Sequence, residues 1–411
     1  MASVIVVDTE LKDSIKEYAQ IIDAVNGNTE FSGSVVSDLG DGDAEIEHKS
    51  ELITKITQVS TSSTLTKLSD REFEPAFYLL IHILSELSEK SSAELLDDEN
   101  SYVIKLLLES NPEKQALVRD RKTVKSTSIL SILTNIFNLI PEVSKTRIYL
   151  IKQILNIVKS SNIKFSIIEN NLGNNLINWL TKSQANDTEI RSIFWDFIQL
   201  DSEFSLKSLT LIKSFTLNYE LQSIQELYNL INFALSSKTV DVSFLITNNV
   251  AQSLQAHAQD SLVATFTKYV QGDLVTVPES FSNFKFINQK SRILSLAKFL
   301  SEKSQSNDHD SIIFKYDEIP TELAANSYEF ETLLVNSIRA NVIEGKLNQL
   351  ESTFYLSRVN RFILAGGNNH QVNANNWNEV KQALYEWKNS LANINEIVKA
   401  TRENIFNNGS A

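Results

Sequence analysis

The C-terminal segment of the chain contains a strict heptad pattern of large apolar residues. They are separated by alternating steps of three and four residues, and Thr401 occupies the one position of the series that is polar. An α-helix places such residues on one narrow stripe, which needs a facing helix to leave water. A helix of this span would be about 43 Å long at ~1.5 Å per residue, longer than a compact domain needs to close its own core. The pattern, called the seam below, consists of Trp377, Val380, Leu384, Trp387, Leu391, Ile394, Val398 and Ile405.

The spacing alone leaves two possibilities open for the seam. The helix could fold back onto its own domain, or it could join a bundle with helices of other chains. The rest of the sequence has to decide between them.

The composition is that of a soluble, helix-rich protein. Of 411 residues, 42% are hydrophobic and 22% charged, while only 10 are Gly and 5 are Pro. The absence of cysteine excludes disulfides, thiolate nucleophiles and zinc–thiolate sites. The apolar run Val4–Val7 has no basic residues before it and ends at Asp8, unlike a signal peptide. No uncharged apolar stretch approaches the ~20 residues of a membrane span, so we expect a cytoplasmic protein.

The first segment, residues 1–74, is acidic and is expected to form one helix followed by a flexible linker. Glu10–Val25 has apolar residues at helical spacing, and Asn26-Gly27 ends that pattern. Residues 27–45 are rich in Gly, Ser and Asp without periodicity, which is typical of a linker. Pro75 fits the first turn of the next helix.

Residues 75–285 are predicted to form an array of helical repeats. Apolar patterns of helical length alternate with short polar breaks, as in Phe77, Leu80, Leu84 and Leu87. No crisp sequence repeat accompanies them, so this prediction rests on spacing alone.

Residues 286–365 have the element order of a winged helix, and residues 371–406 are predicted to form the C-terminal helix that contains the seam. Asn326 can cap the second long helix, with Glu329 as its capping-box partner. Gly366-Gly367 is interpreted as a hinge before the last helix. The predicted elements are a helix at Asn288–Ser304, a strand at Ser311–Lys315, a short helix at Asp317–Ala325, a helix from Asn326, and strands at Val342–Gln349 and Thr353–Leu364.

A helical array followed by a winged helix resembles the PCI domain. This domain is shared by subunits of the proteasome lid, the COP9 signalosome and eukaryotic translation initiation factor 3. The resemblance rests on Tyr316–Leu323, Phe330–Arg339 and Val342–Gln349, where the last contains the Gly345-Lys346 pair that opens the wing hairpin in this family. It implies a fold class of an all-α helical-repeat solenoid, then a small winged-helix (α+β) subdomain, then a long C-terminal helix.

The C-terminal helix is similar to that of the subunit m family of translation initiation factor 3, with subunit 7 of the signalosome as the nearest competitor. The similarity lies in Asn376-Trp377-Asn378, Leu384–Lys388 and Leu391. The resemblance is good over Asn288–Val398, weak over the array and poor over the first 75 residues. It implies a non-catalytic scaffold subunit that helps recruit mRNA and initiator tRNA to the small ribosomal subunit. The alternative is a scaffold subunit of the signalosome or the lid.

No pattern in the chain indicates a catalytic, cofactor-binding or metal site. The five histidines are scattered without metal-ligand spacing, and no phosphate-binding glycine loop or nucleophile motif occurs. A nucleic-acid surface is not favoured, because Arg339, Lys346, Arg358 and Arg361 are offset by Glu344 and Glu351.

The candidate sites are therefore two protein-binding surfaces. In PCI subunits the edge of the wing sheet pairs with a neighbouring wing, which points to Ile343, Lys346, Leu347 and Phe354. For Leu347 and Phe354 the alternative, that they are core residues, stays open. The second surface is the seam, which would join other PCI and MPN subunits of a complex.

Overall fold

The described residues form nineteen α-helices and one small β-sheet. The structure, a computed structural model, describes residues 10–39, 48–112, 123–161, 163–277, 283–305, 312–360 and 370–408. The chain divides into two compact units, Met1–Ser202 and Glu203–Ala411. The predicted domain limits at 74, 285 and 365 stay a prediction.

The first unit is helical throughout its described residues, and helices close in sequence pack on one another. Its core consists of aliphatic and aromatic side chains such as Phe77, Leu80 and Ile129. The pairs α1·α2, α3·α5, α5·α8, α8·α9 and α11·α12 form its main contacts. A π-helical turn, Glu169–Gly173, follows α10. The helices are α1 Leu11–Asn26, α2 Glu30–Leu39, α3 Lys49–Val59, α4 Ser62–Leu65, α5 Asp70–Ser88, α6 Ser92–Leu96, α7 Tyr102–Glu109, α8 Ser126–Leu139, α9 Thr146–Ser161, α10 Phe165–Ile168, α11 Leu176–Lys182 and α12 Asp187–Gln199.

The second unit contains further helices, the sheet and the long terminal helix. The sheet is antiparallel with strand order β1-β3-β2, so β3 is central and β2 is an edge strand. Helix α18 packs on α17 and on β2. The elements are α13 Leu206–Asn218, α14 Ile224–Ser236, α15 Asn248–Ala256, α16 Ser261–Val270, α17 Phe284–Gln305, β1 Ile312–Lys315, α18 Ser327–Arg339, β2 Ile343–Asn348, β3 Thr353–Val359 and α19 His370–Asn408.

The element order confirms the predicted fold class. Helices are followed by a small three-stranded sheet with its own helix, and then by one long helix. The predicted first helix is also confirmed: α1 ends at Gly27, whose φ of 70° is the left-handed conformation that glycine adopts without strain.

The linker prediction is wrong over Glu30–Leu39, which is α2. Phe31, Val35 and Leu39 recur at four-residue steps and are buried. The carboxylate of Asp23, itself buried on α1, accepts hydrogen bonds from the backbone N–H groups of Phe31 (3.2 Å) and Ser32 (2.8 Å). The glycine and serines around these residues concealed a four-residue apolar period. The rest of the predicted linker, from residue 40 on, lies outside the described residues.

Two smaller predictions are also wrong. Helix α5 begins at Asp70, because Ser69 and Glu72 form a capping box, so Pro75 lies inside the helix and not in its first turn. The short helix expected at Asp317–Ala325 is a 3-10 turn, Tyr316–Glu318, followed by turns. Ile319 is extended there, as residues before a proline prefer.

The Gly366-Gly367 hinge lies outside the described residues.

Across the described ranges, no helix is both long enough and apolar enough to cross a lipid bilayer.

Candidate partner-binding surfaces

The wing hairpin is built around a close approach between Gly345 on β2 and the ring of Phe354 on β3. The register of the two strands shifts between Glu344 and Gly345, as in a β-bulge. A Cβ atom at position 345 would lie 2.7 Å from Cε2 of Phe354, and closer still to Cζ of that ring and to the carbonyl oxygen of Tyr355. Only glycine therefore fits without displacing the ring, which gives a physical reason for the glycine of the Gly345-Lys346 pair.

The four residues predicted at the sheet edge divide into two groups. Lys346 is exposed and Leu347 is half-buried, both on the edge strand β2. Ile343 and Phe354 are buried, and Phe354 lies on the central strand. Phe354 is therefore a core residue, the alternative that was left open for it, while Ile343 lies on the edge strand with its side chain buried.

The tip of the hairpin exposes a leucine that the sequence-based prediction missed. Leu350 lies in the turn between β2 and β3 with 99% of its surface accessible. It borders a shallow depression that is also lined by Lys346, Leu347, Gln349 and Tyr355. A single leucine inside the polar turn Asn348–Ser352 was the available signal.

Helix α18 is held on α17 by one arginine. Nε of Arg292 donates to the carbonyl oxygen of Leu323 (3.0 Å), and its Nη2 lies 3.4 Å from Oε2 of Glu329. The predicted cap is confirmed, because Oδ1 of Asn326 accepts from the N–H of Glu329 at 2.9 Å. Arg292 therefore fixes the start of α18 and the turn before it to α17, the first helix of the winged helix.

Several charged side chains of the wing pair with, or accept hydrogen bonds from, other residues of the wing. Arg358 lies 3.5 Å from Glu344 across the β2–β3 pair. Glu331 on α18 accepts hydrogen bonds from the hydroxyl of Tyr316 (3.1 Å) and the amide of Gln349 (2.9 Å). Desolvation, together with this carboxylate, raises the pKa of Tyr316 to about 12, which keeps its hydroxyl a donor. Arg361 lies outside the described residues, and a protein rather than a nucleic-acid partner stays a prediction.

A buried lysine fastens α17 to the preceding helices of the second unit. Nζ of Lys290 donates to the carbonyl oxygens of Ala234 (3.2 Å), Leu235 (3.1 Å) and Ser237 (2.8 Å) at the end of α14. Because the last carbonyls of a helix have no partners within it, an ammonium group is a suitable cap there. Burial lowers the pKa of Lys290 to about 7. Sequence patterns do not reveal this contact, since lysines in amphipathic helices usually lie on the surface.

The seam residues lie on α19, and their side chains are accessible. Leu384, Trp387, Leu391, Ile394 and Val398 are between 48% and 64% exposed, and Val380 is half-buried. The side chains of Trp377 and Ile405 lie outside the description. The middle of α19 is therefore not covered by the described part of the chain, and it presents a continuous apolar stripe to solvent.

Comparisons with known proteins extend along both units. No protein family model matches the chain. The chain is 21% identical over 450 residues to a protein of Emericella nidulans named eukaryotic translation initiation factor 3 subunit M, covering 100% of the chain and 92% of that protein. Proteins of the same name from Aspergillus clavatus and Phaeosphaeria nodorum are 24% and 23% identical, over 96% and 97% of the chain and 84% and 89% of their own lengths.

The chain is similar to subunit M along nearly its whole length. The resemblance inferred from Asn288–Val398 is thereby confirmed, and it reaches well beyond that range. The relatives also align with the helical array and the acidic N-terminal segment, where sequence motifs were weak or missing. The similarity to subunit M is therefore a property of the whole chain and not of its winged helix alone.

Proposed function

We propose that the chain is a non-catalytic scaffold subunit of a eukaryotic translation initiation factor 3 complex in the cytoplasm. Within that complex it supports recruitment of mRNA and initiator tRNA to the small ribosomal subunit. The observation that favours this function is the similarity to subunit M over 96–100% of the chain in three relatives.

Assembly through exposed surfaces is the proposed mechanism. The stripe on α19 leaves large apolar side chains in water, and covering it with a partner helix would bury several of them. Leu350 and the edge of β2 form a second, smaller contact with a neighbouring PCI subunit. The partners are other PCI and MPN subunits, and contact with the small ribosomal subunit is made through the complex.

The proposal assigns each segment a part in the assembly. Residues 75–285 form the array and residues 286–365 the wing that docks a neighbour. Residues 371–406 enter the bundle, and the acidic residues 1–74 contribute helices that pack on α5 at the start of the array.

The decisive experiment compares two double variants of α19 in the full-length chain. Trp387→Asp with Leu391→Asp places two carboxylates on the seam, while Tyr385→Asp with Ala392→Asp places two on an exposed face beside it. We expect the seam variant to lose initiation-factor subunits from the purified complex while retaining its own helical circular dichroism. The variant off the seam keeps them.

The proteins that co-purify with the tagged chain, identified by mass spectrometry, also test the identity of the complex. Recovery of initiation-factor subunits supports the proposal. Recovery of signalosome or lid subunits instead would replace it with a role in the ubiquitin system. Equal recovery of partners with the seam variant and the wild type would show that assembly does not use the seam.

A further inference from the structure

The charges on α19 are sorted around the seam. With the seam at heptad positions a and d, Lys381, Lys388 and Arg402 all fall at position e, beside the apolar stripe. Residues at e and g flank the interface of a helical bundle and select partners by charge. Three of the four e positions from Lys381 to Arg402 therefore carry a cation, and the fourth is Asn395.

The acidic side chains of the same helix lie away from the seam. Glu386 is at position c, and Glu396 and Glu403 are at position f, on the opposite side of the helix. Nε2 of Gln382, also at position f, donates to the Glu386 carboxylate at 3.0 Å, which holds this carboxylate on the outer face. None of these three carboxylates thus lies at an e or g position beside Lys381 or Lys388.

The other flank of the seam is uncharged. Ser390 and Ile397 occupy position g, and the hydroxyl of Ser390 donates to the carbonyl oxygen of Glu386 at 2.9 Å. Thr401, the polar member of the seam, likewise donates to the carbonyl oxygen of Ile397 at 2.8 Å. Since these hydroxyls are satisfied within their own helix, both residues can be covered without losing a hydrogen bond.

A second copy of α19 would complement this arrangement poorly. Antiparallel pairing over the full seam sets position e against e, which would place Lys381 near Arg402 and Lys388 near Asn395 of the other copy. Parallel pairing sets e against g, and the g positions of this helix contain no acidic residue. Neither arrangement supplies a carboxylate.

We infer that the seam of α19 selects a partner helix that presents a row of Asp or Glu side chains beside its own apolar stripe. This inference rests on the proposed function, because it names the chemistry of the helix that α19 joins in the bundle. The acidic row pairs with Lys381 and Lys388, while the uncharged flank at Ser390 and Ile397 packs against apolar or small side chains.

Two synthetic peptides of four heptads test the inference with the purified full-length chain. Both have Leu at a and d, and they differ only in Glu or Lys at every e and g position. Like charges at e and g keep each peptide from pairing with itself. The net charge of the chain is −13, so attraction to the protein as a whole would favour the Lys peptide. The inference predicts instead that the Glu peptide binds more tightly than the Lys peptide.

We expect the Glu peptide to bind about tenfold more tightly than the Lys peptide in a fluorescence anisotropy titration at low salt, and the difference to shrink as salt is added. Lys388→Glu should remove most of this preference, and Lys381→Glu with Lys388→Glu should reverse it. Lys399→Glu, at position b on the same helix, is the matched control and should leave the preference unchanged.

Equal binding of the two peptides, a preference for the Lys peptide, no binding of either, or an equal effect of Lys388→Glu and Lys399→Glu would each overturn the inference. If the Asp substitutions on the seam release the complex while the peptides are not distinguished, only the charge selection fails. If the peptides are distinguished but no initiation-factor subunit co-purifies, the proposed function fails and the charge selection stands.

Discussion

The long helices α17, the first helix of the winged helix, and α19, which follows it, differ in how their apolar residues are covered. On α17, Leu294, Leu296 and Leu300 are buried, and so is Lys290. On α19, Leu384, Trp387 and Leu391 of the seam are about half exposed or more. Each helix is amphipathic in sequence, but within the described part of the chain only the apolar face of α17 is covered by neighbours.

This difference shows which helix stabilises the chain and which is available to another one. Burial of the α17 face contributes to the free energy of unfolding of the isolated chain. Burial of the α19 seam contributes instead to the free energy of binding, because the seam is in contact with water until a partner helix covers it. Substitutions on α17 should therefore lower the stability of the isolated chain, whereas substitutions on the α19 seam should weaken binding to a partner.

The same substitution on each helix gives the largest contrast. Leu300→Ala leaves a cavity in the core and should lower the free energy of unfolding by about 2–5 kcal/mol. Leu391→Ala removes atoms that already face water and should change it by less than about 0.5 kcal/mol. Urea unfolding of the two full-length variants, followed by circular dichroism, measures both. Similar losses would mean that α19 packs on its own chain in solution.

The buried ammonium of α17 provides the next contrast. Lys290→Met leaves three carbonyl oxygens at the end of α14 without their donor and should cost about 3 kcal/mol of unfolding free energy. Lys298→Met on the same helix breaks a 2.6 Å pair with Asp273 that is partly exposed, and should cost less than about 1 kcal/mol. If the two variants unfold at the same urea concentration, the Lys290 contacts do not stabilise the fold.

Two glycine-to-alanine substitutions compare a tightly packed position, Gly345, with an open one, Gly33. Gly345→Ala forces a methyl group against the Phe354 ring and should destabilise the chain by about 1–3 kcal/mol. Gly33→Ala, inside α2 with open space around its Cα, should stabilise it by about 0.5–1 kcal/mol through helix propensity. Thermal melts of both variants give the signs. A stable Gly345→Ala protein would show that the wing can move its ring aside.

The smallest expected effect is a pH dependence. Burial lowers the pKa of Lys290 to about 7 in the folded state, while the unfolded chain keeps its ordinary value near 10.5. Between these values the unfolded chain binds more protons, so stability rises with pH, by about 1 kcal/mol between pH 6 and 8. The wild type should show this rise relative to Lys290→Met. Parallel curves for the two proteins would contradict the shifted pKa.

Much of the fold could be predicted because it depends on local patterns. The period of the apolar residues predicted α1, α17, α18 and the strands of the wing, and Asn326 correctly marked the start of α18. The prediction failed at α2, where Gly33 and the serines made the segment look like a linker despite its apolar period. Asp23 on the neighbouring helix also stabilises the start of α2, and this contact is not visible in the local sequence.

The candidate surfaces were predicted less completely than the fold. Lys346 and Leu347 were correctly expected at or beside an accessible edge, but Ile343 and Phe354 are core residues and Leu350 was missed. Alternation along a strand states which residues share a face, but not whether that face meets solvent or a helix.

The sequence by itself determined the succession of helical array, wing and terminal helix, because each has its own apolar period. It also determined the heptad seam and the positions of charge around it, since these follow from spacing along one helix. Only the tertiary structure decided that α17 is covered and α19 is not, that Lys290 caps α14, and that Gly345 lies against a ring. The physical reason is that periodicity is a property of one segment, whereas burial depends on neighbours distant in the chain.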